Sequence, residues 1–301
     1  MREGGRASIR VVTRQSILAI AATIRVLLVA TIVTFGGMMS AASTDRAHAA
    51  AAKPIRWLFH WPGVAAIATD PEASHVVENT RPFVIMRSNG FLIPSNWNAI
   101  PIVSFQSFSA ITNALERSTL APAVKGIMYD YEKWRFTPEE EQRNPAGYVE
   151  RAADLVHAHG LLFLTAPAVN LVTIQAPEGR NQLLDTYLRL GIAADAARYA
   201  DVIDIQAQRA EANTEVYANF VRQAAGQARQ ANPKVLVFAG VSTNPIGQHV
   251  TADDILRAIS ATRDIVDGYW LNIPAKNEYS PLTTDYRPDI AIEVLRRLGE
   301  R

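Results

Sequence analysis

The chain has 301 residues, 49% of them hydrophobic, with 30 Lys and Arg against 29 Asp and Glu and no cysteine. Without cysteine there is no disulfide framework, thiol nucleophile or thiolate metal site, so an exported fold would have to rest on a large apolar core. The balanced charge leaves no basic stripe of the kind that grips nucleic acid, and nucleic acid is not an expected partner.

The first 49 residues read differently from the rest. Arg2, Arg6, Arg10 and Arg14 precede an apolar run that ends in small residues near Ala47-His48-Ala49, the plan of a secretory signal. Its cleanest apolar core, Val26 to Met39, is short for a membrane span. Joining it to Ile17 to Ile24 across Arg25 gives the roughly 20 residues a span needs. The expectation is a signal peptide over residues 1–49 and a secreted, extracellular product. An uncleaved anchor facing outside is the alternative, and the one case in which a membrane is a partner. The remaining chain carries 24 basic and 27 acidic residues.

From Lys53 onward, short apolar runs rich in β-branched and aromatic residues alternate with segments of helical spacing. Eight runs read as strands: Ile55 to Phe59, Pro82 to Met86, Ile100 to Phe105, Gly126 to Tyr129, Leu161 to Leu164, Val202 to Ile205, Val235 to Phe238 and Gly268 to Leu271. Such runs, bounded by turn residues, predict parallel strands buried under crossover helices. The first helices, around Pro71 to Glu78 and Ser109 to Leu115, are short, and strand pairing there is the least constrained. Later ones are better marked. Val149, Ala152, Ala153 and Val156 form an i, i+3, i+4, i+7 stripe behind Asn144-Pro145 and ahead of Gly160. The spacing recurs at Tyr217, Phe220, Val221 and Ala224, at Ile255, Ala258, Ile259 and Thr262 behind the candidate cap Thr251, and at Ile290, Val294 and Leu298.

Eight alternations in roughly 250 residues predict a single-domain (β/α)8 TIM barrel over residues 50–301. An open doubly wound sheet usually places a Gly-rich phosphate loop after its first strand, whereas His60-Trp61-Pro62-Gly63 follows here.

A β/α barrel carries its active site at the carboxyl ends of its strands, where each apolar run turns polar. The fourth run continues Tyr129-Asp130-Tyr131-Glu132-Lys133-Trp134, and alternation puts Asp130 and Glu132 on one face with Met128 a step deeper. Two carboxylates this close repel, which predicts one protonated and one ionised group near neutral pH. The structural alternative is a salt-bridged pair, with Lys133 or Arg135 as partners.

These residues resemble glycoside hydrolase family 18, the chitinase family, whose fourth barrel strand carries D-G-x-D-x-D-x-E. Gly126, Asp130 and Glu132 match three of its five fixed positions. Leu164-Thr165-Ala166-Pro167 resembles the fifth-strand L-T-A-P run of the plant-type branch. Val237-Phe238-Ala239-Gly240 with Asn244-Pro245 is similar to the seventh-strand motif and its loop, and Asp204-Ile205-Gln206 to the sixth-strand segment ending in V-Q-F-Y-N. The resemblance implies that Glu132 protonates the leaving glycosidic oxygen and Asp130 holds the substrate's 2-acetamido group, whose oxygen attacks the anomeric carbon. No second catalytic Glu on strand seven is then required. It also implies substrate contacts for Gln206 and Gln208, a subsite floor at Trp270, and neither cofactor nor metal. Lys125 and Met128 stand at the family's first two Asp positions, and Gln208 at its sixth-strand Tyr.

Trp61, Trp97, Trp134 and Trp270 fall near expected strand ends, where indoles could stack on sugar rings, while Trp57 reads as packing. His60 ends the first strand beside Trp61 and could serve as a base or a ligand. The absence of H-x-H and H-E-x-x-H spacing argues against a dedicated metal site. The expected function is thus a glycosidase of chitinase type acting on N-acetylated amino-sugar glycans, with carbohydrate as partner. A barrel that binds such glycans without cleaving them is the alternative. A third reading joins His60 to Asp130 and Glu132 in metal-assisted phosphodiester cleavage.

Overall fold

The computed structural model describes residues 54–86, 93–275 and 285–300, and the expected signal segment lies outside them. Eight parallel strands close into a barrel in sequence order. The chain runs β1 (Arg56–His60), α1 (Trp61–Ile67), α2 (Pro71–Glu78), β2 (Phe83–Met86), β3 (Ile100–Phe105), α3 (Phe108–Glu116) and β4 (Gly126–Tyr129). It continues through α4 (Glu139–Arg143), α5 (Pro145–Ala158), β5 (Leu162–Thr165), α6 (Val172–Gln175), α7 (Leu183–Leu190), α8 (Ile192–Ala197) and β6 (Val202–Ile205). It ends with α9 (Thr214–Ala231), β7 (Leu236–Ser242), α10 (Ala252–Thr262), β8 (Gly268–Asn272) and α11 (Pro288–Gly299).

The helices begin and stop where local chemistry directs. Asn144 accepts the Gly147 N–H ahead of Pro145 to start α5, and Gly160 follows the helix at φ +68°. Thr251 and Asp254 form a reciprocal capping box on α10. In the connection from β2 to β3, the described residues, 93–99, contain no helix.

Alternation along each strand divides the core in two. Outward residues such as Trp57, Phe59, Ile127 and Ile203 pack under the helices. Inward residues, among them Leu58, Phe83, Met128, Leu164, Val202, Phe238 and Trp270, fill the barrel itself. Each such side chain contributes about 1.5–3 kcal/mol on burial, so both layers favour one strand register. β7 runs four residues beyond its expected end at Phe238. Ala239, Gly240, Val241 and Ser242 all pair with β8, and small residues there extend the ladder rather than end it.

Candidate active site at the carboxyl end of the barrel

Past the end of β4 the strand's alternation persists. Met128 points into the barrel, Tyr129 and Tyr131 are buried in the outer layer, and Asp130 and Glu132 keep the inward parity. One Asp130 oxygen accepts a 3.2 Å hydrogen bond from Gln206 Nε2, which also donates to the Ala166 carbonyl at 2.9 Å. Asn170, past β5, donates to Glu132 Oε2 at 3.2 Å while accepting the Lys133 N–H at 2.9 Å.

The loop that carries the pair is fastened from below. Thr137 Oγ1 donates to the Gln106 carbonyl at 2.7 Å and accepts the Glu132 N–H at 3.2 Å and the Trp134 indole N–H at 2.8 Å. Gln142 donates to the Trp134 and Thr137 carbonyls. This buried polar cluster fixes the loop in one conformation. The expected salt-bridged alternative is not what holds Asp130 and Glu132, because among the described residues neither pairs with Lys133 or Arg135. Arg135 lies over the Phe136 ring, and Lys133 is exposed.

Burial raises the pKa of both carboxyls. For Asp130 the rise is large, with burial first and the neighbouring Glu132 and Asp204 adding to it, against the Gln206 hydrogen bond. Glu132 is raised by burial, while the Asn170 hydrogen bond and the charge of Arg209 pull the other way. The sequence expectation of repelling carboxyls in a dry mouth therefore has a third participant. Asp204 shares the inward face of β6 with Val202, is 2% exposed, and has no hydrogen-bond partner for either oxygen. Burial alone pushes its pKa up to about 8. The signal was present in the sequence as one Asp among the apolar residues of Val-Ile-Asp-Ile, since an acid in a buried strand demands a reason.

The other expected site residues divide. Gln206 meets Asp130 directly. Gln208 lies against β7 at Gly240, where an added Cβ would stand 2.7 Å from its Oε1, so glycine leaves room for that amide. Trp270, registered beside Gly240, is 7% exposed inside the barrel, and its indole N–H has no partner. Trp134 lies in the β4 loop itself. His60 takes the inward parity of β1 next to Trp61, but Trp61 opens α1 directly, without an intervening loop. Trp97 does not belong to the mouth. It precedes β3 at the other end of the strand, packs on Phe59, and donates to Ser74 at 2.8 Å. Trp57 is buried against Phe59 and Tyr269 in the outer layer, as ordinary packing.

Among the described residues, no three His, Asp or Glu side chains form a group able to hold a metal ion. His60, Asp130 and Glu132 therefore do not make a cation site. What the arrangement offers is proton chemistry, with half-buried Asp130 and Glu132, buried Asp204, oriented amides and the Trp270 indole N–H at the carboxyl end of the barrel.

No family model matches the chain, and no curated protein matches it. Solved structures similar to it include a triosephosphate isomerase from Bartonella henselae, at 13% identity over 81% of this chain and 99% of that one, with a TM-score of 0.44. A putative alpha-L-fucosidase from Bacteroides thetaiotaomicron is 10% identical over 78% and 87%, with a TM-score of 0.46. A GH18 chitinase from Pseudoalteromonas aurantia is 12% identical over 72% and 92%, also with a TM-score of 0.46. These likenesses carry no choice among activities.

Proposed function

We propose that the barrel is a glycosidase of chitinase type that cleaves N-acetylated amino-sugar glycans by substrate-assisted acid catalysis, outside the cell after loss of residues 1–49. The observation that carries the reading is the Asp130 and Glu132 pair. Both face inward at the end of β4, both have raised pKa values, and each is oriented by its own amide, Gln206 or Asn170.

In this reading Glu132 holds a proton toward neutral pH because burial disfavours its charge, and gives it to the glycosidic oxygen. As the C1–O bond breaks, the substrate's acetamido oxygen closes on C1. The acetamido N–H, which gains positive charge, is held by Asp130. Water then attacks C1, the ring opens back to the acetamide, and the water's proton returns to Glu132. No enzyme carboxylate becomes bonded to the sugar. Trp270 offers an apolar floor and an unmatched N–H to the sugar. Gln206 and Gln208 offer amides, and His60, Trp61 and Trp134 stand as candidate outer contacts.

The second reading, a barrel that binds the same glycans without cleaving them, draws on two residues. Met128 contributes no charge beneath Asp130, and Gln208 offers an amide where the resembled family has a phenol. One experiment separates the two. Glu132→Gln should fold, bind chitin and related oligosaccharides, and lose turnover of a chromogenic chitobioside by about a hundredfold or more. Unchanged turnover removes Glu132 as the acid. Wild-type binding with no released reducing ends selects the second reading.

A further inference from the structure

Among the described residues three large apolar side chains are exposed, Val216, Ile246 and Tyr286. Val216 stands in the first turn of α9, after β6, while Ile246 lies between β7 and α10 and Tyr286 between β8 and α11. Connections that run from a strand to the next helix form the carboxyl face of a β/α barrel, so all three share the face that bears Asp130 and Glu132. Apolar residues exposed singly are ordinary. Three on consecutive connections of one face, with none among the described residues of the other face, form a pattern.

The connections are also fastened to one another. Gln248 Nε2 donates to the Arg209 carbonyl and ties the β7 loop to the turn after β6. Asn244 Nδ2 donates to the Asp285 carbonyl at 2.9 Å and ties the same loop to the one after β8. Tyr286 Oη donates to the Pro62 carbonyl at 2.8 Å, which anchors its ring to the start of α1. Ile246 takes the tip of a turn in which the Gln248 N–H reaches the Pro245 carbonyl at 3.2 Å and Gly247 supplies φ +80°. Between the starts of α10 and α11, a cavity of about 410 Å³ is lined by His249, Val250, Thr251, Arg287, Ile290 and Glu293 among others.

We propose that the connections after β6, β7 and β8 form an outer track for a long glycan chain, with Val216, Ile246 and Tyr286 against the apolar faces of sugar rings and the cavity taking a unit beyond the mouth. The proposal rests on the glycosidase reading for the identity of the sugar and deepens it, because the substrate is then a polymer or long oligosaccharide rather than a disaccharide. Sugar rings present apolar faces and hydroxyl edges, which suit single apolar side chains set among hydrogen-bonding groups. Connections already held to one another lose little freedom on binding. A protein partner would need about 800 Å² on each side with an apolar centre, which three separate side chains with charged neighbours do not supply. Exposed Glu215 adjoins Val216, Asp289 and Glu293 line the cavity, and Arg287 is paired with Asp289, all of which disfavours an anionic lipid surface.

The test uses the whole chain and substrates of two lengths. In Val216→Ser/Ile246→Ser/Tyr286→Ala, KM for chitohexaose should rise about tenfold, and KM for a chromogenic chitobioside less than about twofold. Calorimetric titration with chitohexaose should show the same loss of affinity, and Tyr286→Ala alone should show part of it. Equal effects on the two substrates, or an affinity for chitohexaose that the triple substitution leaves alone, overturn the proposal. So does binding to phosphatidylcholine vesicles that the triple substitution abolishes while chitohexaose binding persists, since the three residues then meet lipid. A wild type that binds chitohexaose through Tyr286 and turns over neither substrate leaves the track standing and removes the glycosidase reading instead.

Discussion

Replacing Asp204 by Asn should make the protein more stable, and by an amount that grows with pH. An unfolded Asp ionises near about pH 3.9, while burial holds Asp204 to about 8 in the fold. The folded-state pKa is the higher one, so the unfolded chain releases its proton first. Below about pH 4 both states are protonated and nothing is lost. As pH rises from about 4 to about 8, ionisation favours unfolding, by about 1.4 kcal/mol for each pH unit. At pH 7 this amounts to about 4 kcal/mol, and above pH 8 to about 6 kcal/mol. These are upper bounds, because water admitted to the barrel and residual structure in the unfolded chain both reduce them. Asn has nearly the shape of the protonated acid and no proton to lose. Urea unfolding followed by tryptophan fluorescence should give similar stabilities for the two proteins near about pH 4.5, with the variant ahead by about 2 kcal/mol or more near about pH 8. Parallel pH dependences would refute the reasoning, since Asp204 would then ionise in the fold as easily as in the unfolded chain.

Two further substitutions probe the site and the barrel. Asn170→Ala removes the hydrogen bond that lowers the pKa of Glu132, so that pKa should climb, the alkaline limb of the rate should move to higher pH, and kcat should fall as the carboxyl loses its orientation; an alkaline limb that stays in place contradicts this role. Gly268→Ala would set a Cβ 2.4 Å from the Arg56 carbonyl oxygen and 2.6 Å from the Phe238 ring, where β8 meets β1. Relief requires parting the two strands, so the variant should lose about 3 kcal/mol in a thermal or urea melt, and a wild-type Tm would show that the barrel closes more loosely than its register implies.

The barrel was legible because its strands and helices are marked by short-range chemistry. β3, β4 and β6 span the residues their apolar runs predict, and α5, α9 and α10 start at polar caps three residues before an N–H they satisfy. Misreadings occurred where long-range contacts overrule local pattern. Ala239-Gly240 looked like the end of β7 but continues to pair with β8. Trp97 looked like a rim residue, yet its neighbours Phe59 and Ser74 lie in β1 and α2, far away in sequence.

The site was legible only along single strands. Alternation alone puts Asp130 and Glu132 on one face, since a period of two needs no knowledge of neighbours. Asn170, Thr137 and Arg209 reach the pair from loops and turns, whose paths no period encodes. Asp204 belongs to neither group. Its inward parity was readable, but its burial without a hydrogen-bond partner depends on how the rest of the barrel packs around β6. Read along β4, Met128 is a missing carboxyl and a reason to doubt catalysis. Read across the barrel, β6 carries a carboxyl one inward step beyond the row of Met128, buried and without a partner. A motif read along one strand counts only that strand's acids, whereas the charge that Asp130 feels comes from Glu132 beside it and from Asp204 on β6 alike.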